Sequence, residues 1–81
     1  MNFKPIAANM TEVELGQITV LFSYQTPVAY KVNATNEYYK TNKKWSNTTT
    51  RHINKWIPDS GEVLVRETDQ NDLDNLLNEV K

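Results

Sequence analysis

The clearest pattern along the chain is strict alternation in Thr11–Leu15. Thr11, Val13 and Leu15 point one way and Glu12 and Glu14 the other, which is the period of a half-buried strand. Gly16 and Gln17 follow. Glycine at the first central position of a two-residue connection suits a type II′ hairpin turn, so QITVLFSY reads as the partner strand. Ile18, Val20 and Phe22 share one face of it, and Leu21 adds apolar weight to the other, as in a central strand covered on both sides. The residues before Thr11, AANM, tolerate a helix. Pro27 interrupts the run, PVAYKV forms a third strand with Val28, Tyr30 and Val32 on one face, the polar NATN (33–36) is a turn, and EYYKT (37–41) is a short fourth strand. Short connections between such runs predict an antiparallel meander.

The period then changes. Ser46, Asn47 and Thr48 are all N-cap candidates, and the pattern from there to Ile57 is helical until Pro58, which cannot continue a helix. Val63–Glu67 gives one more strand. Leu73, Leu76, Leu77 and Val80 recur at i, i+3, i+4 and i+7, the apolar stripe of an amphipathic helix. Thr68 or Asp69 would cap it, with acids in the first turn, where the helix dipole favours them. The order β-β-β-β-α-β-α predicts an α+β fold: a small, mostly antiparallel sheet with two helices packed on one face.

Size narrows this further. A chain of 81 residues is a single domain that buries roughly 60% of its unfolded surface, so a binding surface fits better than a deep enclosed cleft. There is no cysteine, which removes disulfide scaffolds, zinc ribbons and thiol chemistry and accords with a reducing cytoplasm. MNFKPIAANM has neither a basic n-region nor a long apolar stretch, and no apolar run nears the ~20 residues of a membrane span. The glycosylation-type triplets at Asn9, Asn33 and Asn47 then read as products of an Asn- and Thr-rich composition.

Net charge is −1, no mark of a generic polyanion binder, but the charges are sorted. Residues 40–55 hold Lys40, Lys43, Lys44, Arg51 and Lys55 and no acid, whereas residues 59–81 hold Asp59, Glu62, Glu67, Asp69, Asp72, Asp74 and Glu79 against Arg66 and Lys81. The plain reading is two solvated surfaces that face each other. The functional reading turns on KKWSNTTTRHINKW, Lys43–Trp56. At 100° per residue, Trp45, Thr49, His52, Ile53 and Trp56 make a core-facing stripe, and Lys44, Thr48, Arg51 and Lys55 make a basic stripe beside it. Lys40 and Lys43 sit just upstream. Cations, free N–H groups of a helix start and the hydroxyls of Thr48, Thr49 and Thr50 together suit a phosphate or carboxylate. Surface helices also carry such cations for solubility alone.

Other chemistry is sparse. His52 lies on the apolar stripe and reads as a packed residue bonded to a neighbour. It has no cysteine and no second histidine to join as a metal ligand. DQNDLD (69–74) imitates a calcium loop only in part, because Leu73 takes a ligand position and the turn glycine is missing; helix capping explains it better. No Gly-rich phosphate loop is present. The sequence therefore points to no enzyme, no cofactor and no metal. Tyr38 and Tyr39 are adjacent and point to opposite faces of a strand. Either is a half-buried core tyrosine or, if exposed near Lys40 and Arg51, a platform on which a base stacks.

LFSYQTPVAY (21–30) followed by YYKTNKKWSNTTTRHINKW (38–56) resembles a group of small uncharacterised proteins of phages and other viruses. That group pairs an LFSY-x-TPVA segment with a Tyr-x-Thr-x-Lys-x-Trp-Ser-x-Thr-Thr-x-x-His-Ile-x-x-Trp run. The match covers about residues 18–57 and leaves the tail from Asp59 unmatched. The resemblance implies a viral accessory protein of the infected cell's cytoplasm and carries over no activity and no site residues. The expected function is non-enzymatic binding of nucleic acid or another phosphorylated ligand through Lys40, Lys43, Lys44, Thr48, Thr49, Thr50, Arg51 and Lys55. The alternative is an inhibitor or adaptor aimed at a host protein, with the acidic last helix as its contact. A homo-oligomer joined through the apolar stripe of that helix is a third possibility.

Overall fold

The computed structural model describes residues 2–58 and 63–76. Six strands form one sheet in simple sequence order: β1 (Asn2–Ala7), β2 (Met10–Leu15), β3 (Ile18–Ser23), β4 (Thr26–Val32), β5 (Glu37–Thr41) and β6 (Leu64–Thr68). The first five pair antiparallel. β6 lies parallel to β5, because the chain returns through helix α1 (Asn47–Trp56), and parallel neighbours need such a crossover. Helix α2 (Gln70–Leu76) follows. This is the α+β class expected from the pattern, with one strand more.

The extra strand is β1. It lies on an edge and its side chains from Phe3 to Ala7 are all exposed, so no half-buried alternation announces it. Pro5 also demotes it as a strand by pattern. The register slips between Pro5 and Ala7; Lys4, Pro5 and the bulge are devices that keep an open edge from pairing with another chain. Gly16 takes φ +68° in the β2–β3 turn, as the type II′ reading requires. Tyr24 holds the same kind of position before Gln25, at φ +59°, a conformation that costs a bulky residue strain.

The register decides where the helices sit. On β3, Leu21 and Ser23 face α1: Leu21 joins Met10, Val28, Ala29 and Ile53 in a buried cluster against which Trp56 and Ile57 pack. Val20 lies on the opposite face with Val13 and Leu15, and Leu76 of α2 packs there beside Ile18, Phe22 and Tyr30. The two helices therefore cover opposite faces instead of sharing one. The physical reason is that β3 is apolar on both faces, and each face needs a cover. Met10, Val13, Val20, Leu21, Val28 and Leu73 are each no more than 1% exposed, a gain of roughly 1.5–3 kcal/mol apiece over an exposed position. β6 starts one residue later than expected, and its Leu64–Glu67 stretch is exposed as the second edge of the sheet. Leu77 and Val80 of the expected last helix, and the charges at Asp59, Glu62, Glu79 and Lys81, lie outside the described residues.

Candidate functional site

Helix α1 starts where Ser46 caps it. The Ser46 backbone is extended (φ −100°, ψ 167°) and its Oγ accepts from the Thr49 N–H at 3.1 Å. Its carbonyl accepts both the N–H and the hydroxyl of Thr50, at 3.1 and 3.2 Å. The three threonines thus have different fates. Thr48 is exposed, Thr50 is exposed but already donates to Ser46, and Thr49 is only 6% exposed. Thr49 Oγ1 lies 3.0 Å from Ser23 Oγ, which lies 2.8 Å from His52 Nδ1. This row of hydroxyls and imidazole pins the helix to the end of β3 and satisfies groups that burial would otherwise leave unpaired. Ser23 is 2% exposed, so its contact with His52 is a packing contact and its hydroxyl meets no external molecule. Thr49 is likewise withdrawn from any ligand.

The cations separate into two groups. Lys40 comes from β5, Lys43 and Lys44 from the connection before the cap, and all three border one open groove of about 280 Å³ between α1 and the β5–β6 edge, together with Thr50, Asn54 and Glu67. Glu67 stands opposite Lys40 in the parallel register and partly offsets it. The groove continues past Lys40 and Asn54 into a second hollow of about 400 Å³ walled by Ile57, Pro58 and Val65. Arg51 and Lys55 are exposed on α1; at 100° per residue they point about 100° away from Thr50 and Asn54 and out from the sheet. The helix therefore carries cations outward while the groove gathers a second set along its flank.

The two tryptophans differ in the same way. Trp56 is half-buried, packs edge-on against Tyr38 with centroids 5.5 Å apart, and donates from Nε1 to Glu12 Oε1 at 2.7 Å. Trp45 was expected on the same core-facing stripe, but it precedes the cap and has no place on the helix. Trp45 is 38% exposed. Its Nε1 donates to Gln70 Oε1 at 3.2 Å, and Lys43 Nζ lies 4.2 Å from its centroid, within cation–π range. The cap at Ser46 was the sequence signal that could have moved Trp45 off the stripe. Asn54 and the Ile57–Pro58–Val65 wall had no signal at all, because they meet only when β6 docks beside β5.

Neither adjacent tyrosine is a free platform. Tyr38 is buried at 7% exposure, and burial first, then Glu12, raises its hydroxyl above the ordinary pKa of 10.0. Tyr39 stacks on Tyr30 at 4.7 Å on the other face and donates to Glu37 Oε2. Tyr30 is raised by burial, then by Tyr39, Asp72 and Glu37. The acidic run serves α2: the Asp69 carbonyl accepts from the Asp72 and Leu73 N–H groups, its carboxylate accepts from Asn42, and Asp72 accepts from Thr68. Among the described residues no three His, Asp or Glu side chains gather as a metal set, and no helix is long and apolar enough to cross a membrane.

The family model that matches spans residues 1–75, which takes in every strand, helix α1 and the whole groove. The chain belongs to the family of unknown function DUF8033. No curated protein and no solved structure matches it. The DUF8033 match covers both edges of the sheet, β1 and β6, so the edge strand that forms one wall of the groove is part of the family's domain.

Proposed function

We propose that this DUF8033 protein is a non-enzymatic binding module that holds nucleic acid, or another phosphate-bearing ligand, on its α1 side. The observation that carries the reading is the convergence of Lys40, Lys43 and Lys44 with Asn54 on one open groove, flanked by the outward cations Arg51 and Lys55. Phosphate contacts from lysine and arginine supply sequence-independent affinity. Thr48 and Thr50 border that surface, and Thr49 holds the helix in place behind it. The resemblance of residues 18–57 to small phage and viral proteins supports a viral accessory role in the cytoplasm of an infected cell. The test is fluorescence anisotropy of labelled oligonucleotides at low salt. The expected result is binding that Lys44→Ala with Arg51→Ala, one cation from each group, weakens at least roughly tenfold; no binding, or binding indifferent to the double variant, removes the proposal.

A second reading has its own observation. At the β1–β3 side of the sheet, Phe3 (66% exposed), Phe22 and Tyr24 (52% exposed) border an apolar hollow of about 260 Å³ beside Thr11 and Val13. Exposed aromatics of this kind serve as protein-contact hot spots, which supports an inhibitor or adaptor aimed at a host protein. Under that reading Phe3→Ser with Tyr24→Ser abolishes capture of the host partner and leaves oligonucleotide binding as it was.

A further inference from the structure

The groove is not uniformly basic. Its cationic part, Lys40, Lys43 and Lys44, meets an apolar wall of Ile57, Pro58 and Val65 beyond Asn54, and outside its lining the exposed indole of Trp45 lies under the Lys43 ammonium. A duplex offers such a surface only its phosphates, because its bases are paired and stacked inside. A single strand offers phosphates and unpaired π-faces together, which suits lysines with one exposed indole beside them. Resting on the phosphate-binding reading above, we propose that the groove takes single-stranded nucleic acid, with phosphates on the lysines and an unpaired base stacked on Trp45.

Lys43 links the two parts. Its ammonium lies 4.2 Å from the Trp45 centroid and also borders the groove. A phosphate that draws this ammonium off the ring leaves the indole face to the attached base. The Nε1 bond to Gln70 holds the ring in place at the start of α2, so the platform is pre-set and little side-chain freedom is lost on stacking. Asn54, shared by both hollows, offers an amide with donors and an acceptor for a base edge. Neither tyrosine competes for this role, since Tyr38 is buried and Tyr39 stacks on the opposite face.

The chain has two tryptophans, which makes the stacking readable. In a Trp56→Phe variant Trp45 is the sole indole. Titration with oligo-dT and with oligo-rU quenches its emission, and comparing the two tells DNA from RNA. A DNA duplex of equal length and inorganic polyphosphate, which can displace Lys43 but bring no unpaired base, do not quench it. In the otherwise native chain, Trp45→Ala weakens single-strand binding roughly 5- to 150-fold, the range for losing one base–aromatic stack, and leaves polyphosphate binding in place, which also reports that the variant is folded. Should Trp56→Phe not fold, the quench that disappears from the native chain on Trp45→Phe gives the same information. Equal affinity for duplex, polyphosphate and single strand, with no quench and no selective effect of Trp45→Ala, overturns the inference while the phosphate-binding proposal stands. No binding of any of the four probes overturns both.

Discussion

Single residues at turns and caps carry more of this fold than their size suggests. Gly16 sits at φ +68°, and a Cβ added there would meet nothing within 4 Å. Gly16→Ala therefore changes only backbone strain, and urea unfolding should show a loss of about 1 kcal/mol. Ser46 both caps α1 and touches the Thr49 hydroxyl at 3.3 Å; Ser46→Ala should cost about 1 kcal/mol. Ser23→Ala strips partners from Thr49 and His52 at once, and the expected loss is about 1–3 kcal/mol. A loss under about 0.5 kcal/mol would mean that the hydroxyl–imidazole row does not hold the helix.

At the scale of elements, α1 divides its surface between core, groove and solvent, and the two indoles test that division. Trp56→Ala should destabilise by about 3 kcal/mol, because it opens the packing against Tyr38 and leaves Glu12 unbonded. Trp45→Ala should cost about 1 kcal/mol or less. Equal losses in thermal or urea unfolding would contradict the separation. The meander, the Gly16 turn, the Ser46-capped helix and the stop at Pro58 were all legible, since each rests on local periodicity or local backbone chemistry. β1 was not, because an edge strand exposed on both faces has no alternation to show. The placement of α2 was not legible either: apolar residues on both faces of β3 signalled burial but not which helix would supply each cover. The groove was half legible. Its cations stood in an acid-free run of sequence, whereas Asn54, Pro58 and Val65 are brought to it only by the parallel docking of β6.

For the molecule as a whole, a net charge of −1 conceals a sorted surface. Lys40, Lys43, Lys44, Arg51 and Lys55 lie on the α1 side, where Glu67 borders the groove and Glu12 bonds Trp56, while Glu37 and Asp72 lie across the sheet with Tyr30. Binding follows the local field more than the net charge. The two raised tyrosines make stability depend on alkaline pH. Well below pH 10.0 Tyr30 and Tyr38 are protonated in both folded and unfolded chains. Above it the unfolded chain releases those protons first, so stability falls as pH rises through the folded values. Tyr30→Phe should flatten that decline, as followed by circular dichroism against pH.

The salt dependence of oligonucleotide binding tests most directly whether these cations act together on phosphates. Anisotropy titrations of a labelled single strand, repeated from about 50 to 200 mM salt, should give a slope of log K against log salt of about −3, as expected for roughly four phosphate contacts. Lys44→Ala with Arg51→Ala should reduce it to about −1.5. A flat dependence, or the same steep slope in the double variant, would contradict the account.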